Sequence, residues 1–224
     1  ETAQRLVDAW YRLEYRGYDS AGLAVRDEEG HATVVKAKGR LKVLSEKVDG
    51  GRTLKGCIGI GHTRWATHGE PSEANAHPHI SDEAPDDSAV IGVHNGIIEN
   101  YAELKEKLVK EGYEFYSETD TEVAVKLVDY YYGRSQSPIK ALSQAMMRIR
   151  GSYALAILFK DHQNQIWTAR KDSPMIIGAT GSESFIASDV PAILGYTQDI
   201  YHVDNCEMAC VEATAVRFYN MDGE

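Results

Sequence analysis

The sequence predicts an α+β chain in which antiparallel strands flank a block of helices. Three observations predict it. Strand-like segments of period two lie before about residue 95 and again from Tyr153 onward, with helical periodicity between them. Connections between the candidate strands are short and rich in turn residues, which favours antiparallel pairing over crossovers. No repeat, linker or low-complexity tract divides the 224 residues, so one domain with two sheets and helices outside them is the natural packing.

The elements follow in order. Thr2 to Tyr15 reads as a helix with Leu6, Val7, Trp10 and Leu13 on its inner face. Arg16–Gly22 (RGYDSAG) is turn-rich. Ala21–Arg26 and Ala32–Lys38 form a hairpin around the Asp27–Gly30 turn. Leu41–Val48 is a weaker helix, broken by Gly50-Gly51. Cys57–Gly61 is a short buried strand opening into the long loop His62–His79, and Ala89–His94 is a strand running into Asn95-Gly96. Asn100 caps a helix that reaches Glu111, with Leu104 and Leu108 inward and Gly112 as its stop. Thr119-Asp120-Thr121-Glu122 fits the capping box and starts a helix to about Tyr131. Ser137-Pro138 starts another, with Ile139, Leu142, Ala145, Met146 and Ile149 as its stripe. Seven short strands then follow: Tyr153–Phe159, Ile166–Arg170, Met175–Ala179, Ser184–Ala187, Ile200–Val203, Met208–Glu212 and Val216–Asn220, with one short helix from Asp189-Val190-Pro191.

Composition narrows the function. With 43% hydrophobic and 26% charged residues the chain can bury a core of good size. A formal charge of −10 without a basic stripe excludes a nucleic-acid partner. No apolar run approaches membrane-spanning length and no signal or lipidation motif is visible, so no membrane partner is expected. Three cysteines, Cys57, Cys206 and Cys210, without CxxC spacing point to a reducing compartment, here the cytoplasm. The chain opens inside a helical pattern without Met and stops just after a strand-like run, as a piece of a longer chain would.

Chemistry concentrates in HTRWATHGEPSEANAHPH, His62–His79, a polar loop holding four of the eight histidines. A loop of this length with Trp and Arg reads as a cover over a small polar ligand. Arg64 beside Trp65 is either a surface stacked pair or a bidentate carboxylate clamp. Asn95-Gly96 is either a turn or an oxyanion hole, one side-chain amide and one backbone N–H on a single oxygen. Asp120 is either a helix-dipole acid or a holder of a ligand ammonium. The histidines lack HExxH or CxxC company, so no metal and no cofactor is expected, and His77-Pro78-His79 reads as loop structure. Cys57 reads as inert packing in a buried run, and none of the cysteines has the setting of an activated thiol.

That loop, together with RLEYRGYDSAG (Arg12–Gly22), VHNGIIEN (Val93–Asn100) and SETDTEV (Ser117–Val123), closely resembles the glutaminase domains of the glutamine–fructose-6-phosphate aminotransferase family. The resemblance runs over nearly the whole chain. It implies the N-terminal nucleophile hydrolase fold, a four-layer αββα sandwich of antiparallel sheets, with residues 1–224 forming one glutaminase domain. It implies that Arg64 holds the glutamine α-carboxylate, Asp120 holds the α-ammonium, and Asn95 with the Gly96 N–H forms the oxyanion hole. Trp65, Thr67 and His68 would belong to the closing loop, with Arg16 and Tyr18 near the nucleophile. The family's nucleophile is an N-terminal Cys on an opening Cys-Gly-Ile-Val-Gly strand. That strand is missing here, so the fragment itself is expected to be inactive. The partners implied are glutamine and, through absent sugar-isomerase domains, fructose 6-phosphate, in a homodimeric full-length enzyme that makes glucosamine 6-phosphate. A glutamine-binding module without a nucleophile, and an amidotransferase with another acceptor such as phosphoribosylpyrophosphate, are the alternatives.

Overall fold

The computed structural model describes residues 2–13 and 19–224. Five α-helices appear among them: α1 Thr2–Tyr11, α2 Leu41–Lys47, α3 Tyr101–Lys110, α4 Asp120–Ser135 and α5 Pro138–Arg148. The strands are β1 Ser20–Arg26, β2 Ala32–Lys38, β3 Ile58–Arg64, β4 His79–Ile80, β5 Val90–Ile98, β6 Gly151–Phe159, β7 Ile166–Lys171, β8 Ile176–Ala179, β9 Ser184–Ala187, β10 Ile200–His202, β11 Glu207–Val211 and β12 Val216–Tyr219. They pair antiparallel in three groups, ordered β2-β1-β3, β10-β8-β9 and β12-β11-β7-β6-β5-β4.

Alternation along β1 explains the layering. Every residue of β1 is buried, which a strand achieves only with both faces covered. Ala21, Leu23 and Val25 pack with Val7 and Trp10 of α1 and Leu41 and Leu44 of α2. Between them, Ala24 faces the other way and meets Ile60 of β3, Ile91 and Val93 of β5, and Ala156 and Leu158 of β6. The second small sheet lies over the same six-stranded sheet: Met175 and Ile177 pack with Ala154, Ala209 and Val211. On the far face of the six-stranded sheet, Leu155, Ile157, Phe159, Ala169 and Met208 meet α3, α4 and α5 through Leu104, Leu108, Leu127, Leu142 and Met146. Helices, paired sheets and helices again make the αββα sandwich that the resemblance implies. Gly61 sets the spacing of the first layer, because a Cβ there would lie 2.0 Å from Cζ2 of Trp10.

Several boundaries differ from expectation. The first helix ends at Tyr11. β3 and β5 run past their expected ends, so His62, Thr63 and Arg64 are strand, and so are Asn95 and Gly96, opposite Ala154 and Tyr153 of β6. His79 is not loop either, since it pairs with Gly92. Helix α4 continues to Ser135. Asn100 stands at the start of α3 without capping it; its side chain donates to Arg148 O and accepts from Arg150 N. Thr119 caps α4 by accepting from Glu122 N at 3.2 Å, but the return half of the box is missing. The Glu122 carboxylate accepts instead from Tyr116 N and Ser117 N and pairs with buried Lys126 at 2.5 Å. Cys57 is exposed rather than packed, because the strand begins one residue later.

Candidate active site

Register brings the candidate residues together. Arg64 is four residues beyond Ile60 on β3, and Asn95 is two beyond Val93 on β5, so both share the faces that meet between the sheets. There a cavity of about 1070 Å³ opens between β3 and β9, with Arg64, Trp65, Thr67, Asn95, Gly96 and Asp120 in its lining. Gly96 has φ +133°, and a Cβ on it would lie 2.2 Å from Ser152 O, so only glycine fits this close crossing of β5 and β6.

Asp120 opens α4 with its side chain almost wholly buried; Ile98 N donates to its Oδ2 at 2.9 Å. A carboxylate at a helix start is favoured by the dipole, and here the end of β5 also fixes its rotamer. Arg64 is 3% exposed. Its guanidinium donates to the carbonyls of His68, Gly69 and Glu70, so the clamp predicted for a ligand also organises its own loop. Burial lowers its pKa, and Asp19 and then Asp120 oppose that shift. Trp65 is 69% exposed at the mouth. His68 does not line the cavity; it stands with Nδ1 3.9 Å from Asp120 Oδ2 and its ring edge-on to Tyr101. Arg16 and Tyr18 lie outside the described residues.

Other residues, not foreseen from the sequence, complete the surround. Asn75 donates to Glu70 O and accepts from Glu118 N, tying the loop to the approach to α4. His79 bridges Tyr116 OH at 2.7 Å and Thr119 Oγ1 at 2.9 Å. Asp19 joins the start of β1 to Arg64 and Ala66. In the cavity wall His62 stacks on His77 with centroids 4.3 Å apart, and His77 lies 5.2 Å from His79. Burial pushes His62 down to about 3 and His77 and His79 well below the usual range, with neighbouring imidazoles and cations adding to it. Among the described residues no cluster of three or more His, Cys, Asp or Glu side chains could hold a metal ion, and no helix is long and apolar enough to cross a membrane.

The chain is similar to several known proteins. The chain is 50% identical over 218 residues to the glutamine–fructose-6-phosphate aminotransferase (isomerizing) of Caldanaerobacter subterraneus subsp. tengcongensis, covering 97% of this chain and 34% of that protein. It is 48% identical over 224 residues to the protein of that name from Clostridium acetobutylicum, covering 100% of this chain and 36% of the relative. The chain thus spans about a third of the length of these relatives. The glutamine phosphoribosylpyrophosphate amidotransferase of B. subtilis, solved with ADP and GMP, superposes with a TM-score of 0.82 at 24% identity over 99% of this chain and 47% of that one; this likeness speaks for the fold. A model of the glutamine amidotransferase domain matches residues 62–195, the stretch that carries Arg64, the Asn95-Gly96 pair and Asp120, and the chain therefore belongs to the glutamine amidotransferase domain family.

Proposed function

We propose that this site hydrolyses glutamine to glutamate and ammonia, and that the whole protein passes the ammonia to fructose 6-phosphate to make glucosamine 6-phosphate. One observation carries the reading: a buried guanidinium, a buried carboxylate and an Asn-Gly pair line one cavity. Those are the groups needed to hold an amino acid by both charged ends while its side-chain amide reacts.

In this reading Arg64 pairs with the α-carboxylate and Asp120 accepts from the α-ammonium. A thiolate adds to the amide carbon, and the oxygen that becomes an oxyanion accepts from Asn95 Nδ2–H and Gly96 N–H. The tetrahedral adduct expels ammonia once the nitrogen is protonated, leaving a thioester that water cleaves to glutamate. Trp65 and Thr67 form part of the cover, and His68 supports it from beside Asp120.

None of the cysteines present is placed for the attack. Cys57 is seven residues from Arg64 along β3, roughly 23 Å in an extended strand, and Cys210 is buried beside Arg217 on β11. The nucleophile proposed is an N-terminal Cys on a strand laid between β3 and β9. Its free α-amino group, with an ordinary pKa of roughly 7.7–8.0, would carry the proton. Sugar-isomerase domains downstream, a homodimeric whole protein and a cytoplasmic location belong to the same proposal. The identity of 48–50% to proteins named for fructose 6-phosphate favours that acceptor over phosphoribosylpyrophosphate.

The test is the protein at its full native length, given glutamine with and without fructose 6-phosphate. Glutamate, ammonia and glucosamine 6-phosphate should appear. Glutamine neither turned over nor bound in calorimetry would overturn the reading. Turnover coupled only to another acceptor would overturn its second half.

A further inference from the structure

Asp19 is an ionisable side chain beside this site to which neither the loop motif nor the glutamine-holding pattern gives a task. It sits where three chain segments meet. Its N–H donates to Arg64 O at 2.8 Å, and its carbonyl accepts from Gly39 N at 2.7 Å, so its backbone is clipped to β3 on one side and to the end of β2 on the other. β1 begins at the next residue, with Ser20 opposite both Arg64 and Lys38.

The side chain then spans two points that lie on either side of Trp65. Oδ2 accepts from Ala66 N at 2.5 Å, and Oδ1 lies 3.8 Å from Arg64 Nη1, while Ser20 Oγ donates to Oδ1 at 3.0 Å. Arg64 is thus gripped from two directions, by Asp19 from the strand side and by the carbonyls of His68, Gly69 and Glu70 from the loop side. Without a resident counter-ion, a guanidinium this buried would lean on Asp120, the carboxylate needed for the ligand ammonium.

We infer that Asp19 is a positioning residue for glutamine: it neutralises and aims Arg64 and fastens the start of the covering loop at Ala66, so that clamp and cover are set as one unit while Asp120 is left for the substrate. The inference deepens the glutaminase reading and rests on it. Asp19 touches no reacting atom. Its loss therefore weakens capture of the α-carboxylate rather than the chemistry at the amide.

The measurement is steady-state glutamine hydrolysis by the full-length protein. Asp19→Asn keeps the size and an acceptor for Ala66 N but removes the charge. It should raise KM about tenfold, the weight of one charge-assisted bond, with kcat within about twofold. Asp19→Ala should raise KM further. In an Arg64→Ala background Asp19→Asn should add less than about twofold, because the residue it acts through is gone. A fall in kcat at unchanged KM, an effect that adds in full to Arg64→Ala, or no effect in either variant overturns the inference. Melting temperatures of the variants are read alongside, since a lowered Tm with an unchanged KM would mark a merely structural residue. Wild-type protein that fails to turn over glutamine defeats the glutaminase reading itself; wild-type turnover with an indifferent Asp19 defeats only this one.

Discussion

Mild acid should melt this fold, and the buried histidines set the size of the effect. His77 and His79 are 5% and 0% exposed, and the free area of His62 faces the cavity rather than bulk solvent. No hydrogen-bond partner among the described residues reaches Nδ1 of His62 or His77. Burial holds His62 at about 3, and His77 and His79 well below the ordinary value. The unfolded chain binds a proton at each near pH 6.5. Between that value and the much lower folded one the unfolded state holds more protons, so stability falls as pH falls through this window. At pH 5.5, one unit below the unfolded pKa, each histidine costs about 1.4 kcal/mol, and the three together about 4 kcal/mol. A domain of this size loses roughly 2–4 °C of Tm per kcal/mol, so Tm should drop roughly 8–16 °C between pH 7.5 and pH 5.5. Asp129, whose carboxyl is raised by burial, works in the opposite sense, which makes comparison with a variant the clean readout. His77→Gln removes one titrating group and should shrink the drop by roughly 3–6 °C, followed by calorimetry or circular dichroism. A Tm that stays flat over this range, or a His77→Gln slope equal to the parent's, would refute the argument.

Three further outcomes are expected. Arg64→Ala should raise the glutamine KM by about 10- to 150-fold, the range of one lost charge-assisted contact to a desolvated carboxylate; an unchanged KM removes the clamp. Asn95→Ala should lower kcat by about 10²–10³-fold with KM little changed, and a pure KM defect in initial rates would contradict an oxyanion role. Glu122→Ala should cost about 3–5 kcal/mol in denaturant melts, because it strands Lys126 and the N–H groups of Tyr116 and Ser117 inside; a loss under about 1 kcal/mol would mean the pair is dispensable.

Much of this arrangement was legible in the residues. The hairpin around Asp27–Gly30, the Ser137 cap with Pro138 at the first turn, and the late run of short strands all sit close to where their patterns put them. Local chemistry decides those features, so a local reading finds them. The errors share a cause. His62, Thr63 and Arg64, like Asn95 and Gly96, look like loop because they are polar, yet they continue strands whose inner faces turn from core to ligand cavity. Polarity there marks a site rather than the end of pairing. Asn100 and Glu122 have the residue types for capping, but nearer partners, Arg148 O and Tyr116 N among them, take their side chains. Asp19 escaped notice because its partner Ala66 is 47 residues away, and no periodicity encodes such a contact.

The extension of β5 to Ile98 has a further consequence. The same strand presents the Asn95-Gly96 pair and, three residues on, the N–H that anchors Asp120. On the proposed reading the distance between the amide oxygen and the ammonium is therefore ruled off by a single length of extended backbone, roughly 3.3 Å per residue and stiffened by β6 along its side. Such a gauge cannot shrink to suit a shorter molecule. Asparagine, one methylene shorter, can satisfy one end or the other, so selection for glutamine would come from the inflexibility of a strand rather than from a pocket shaped to the side chain.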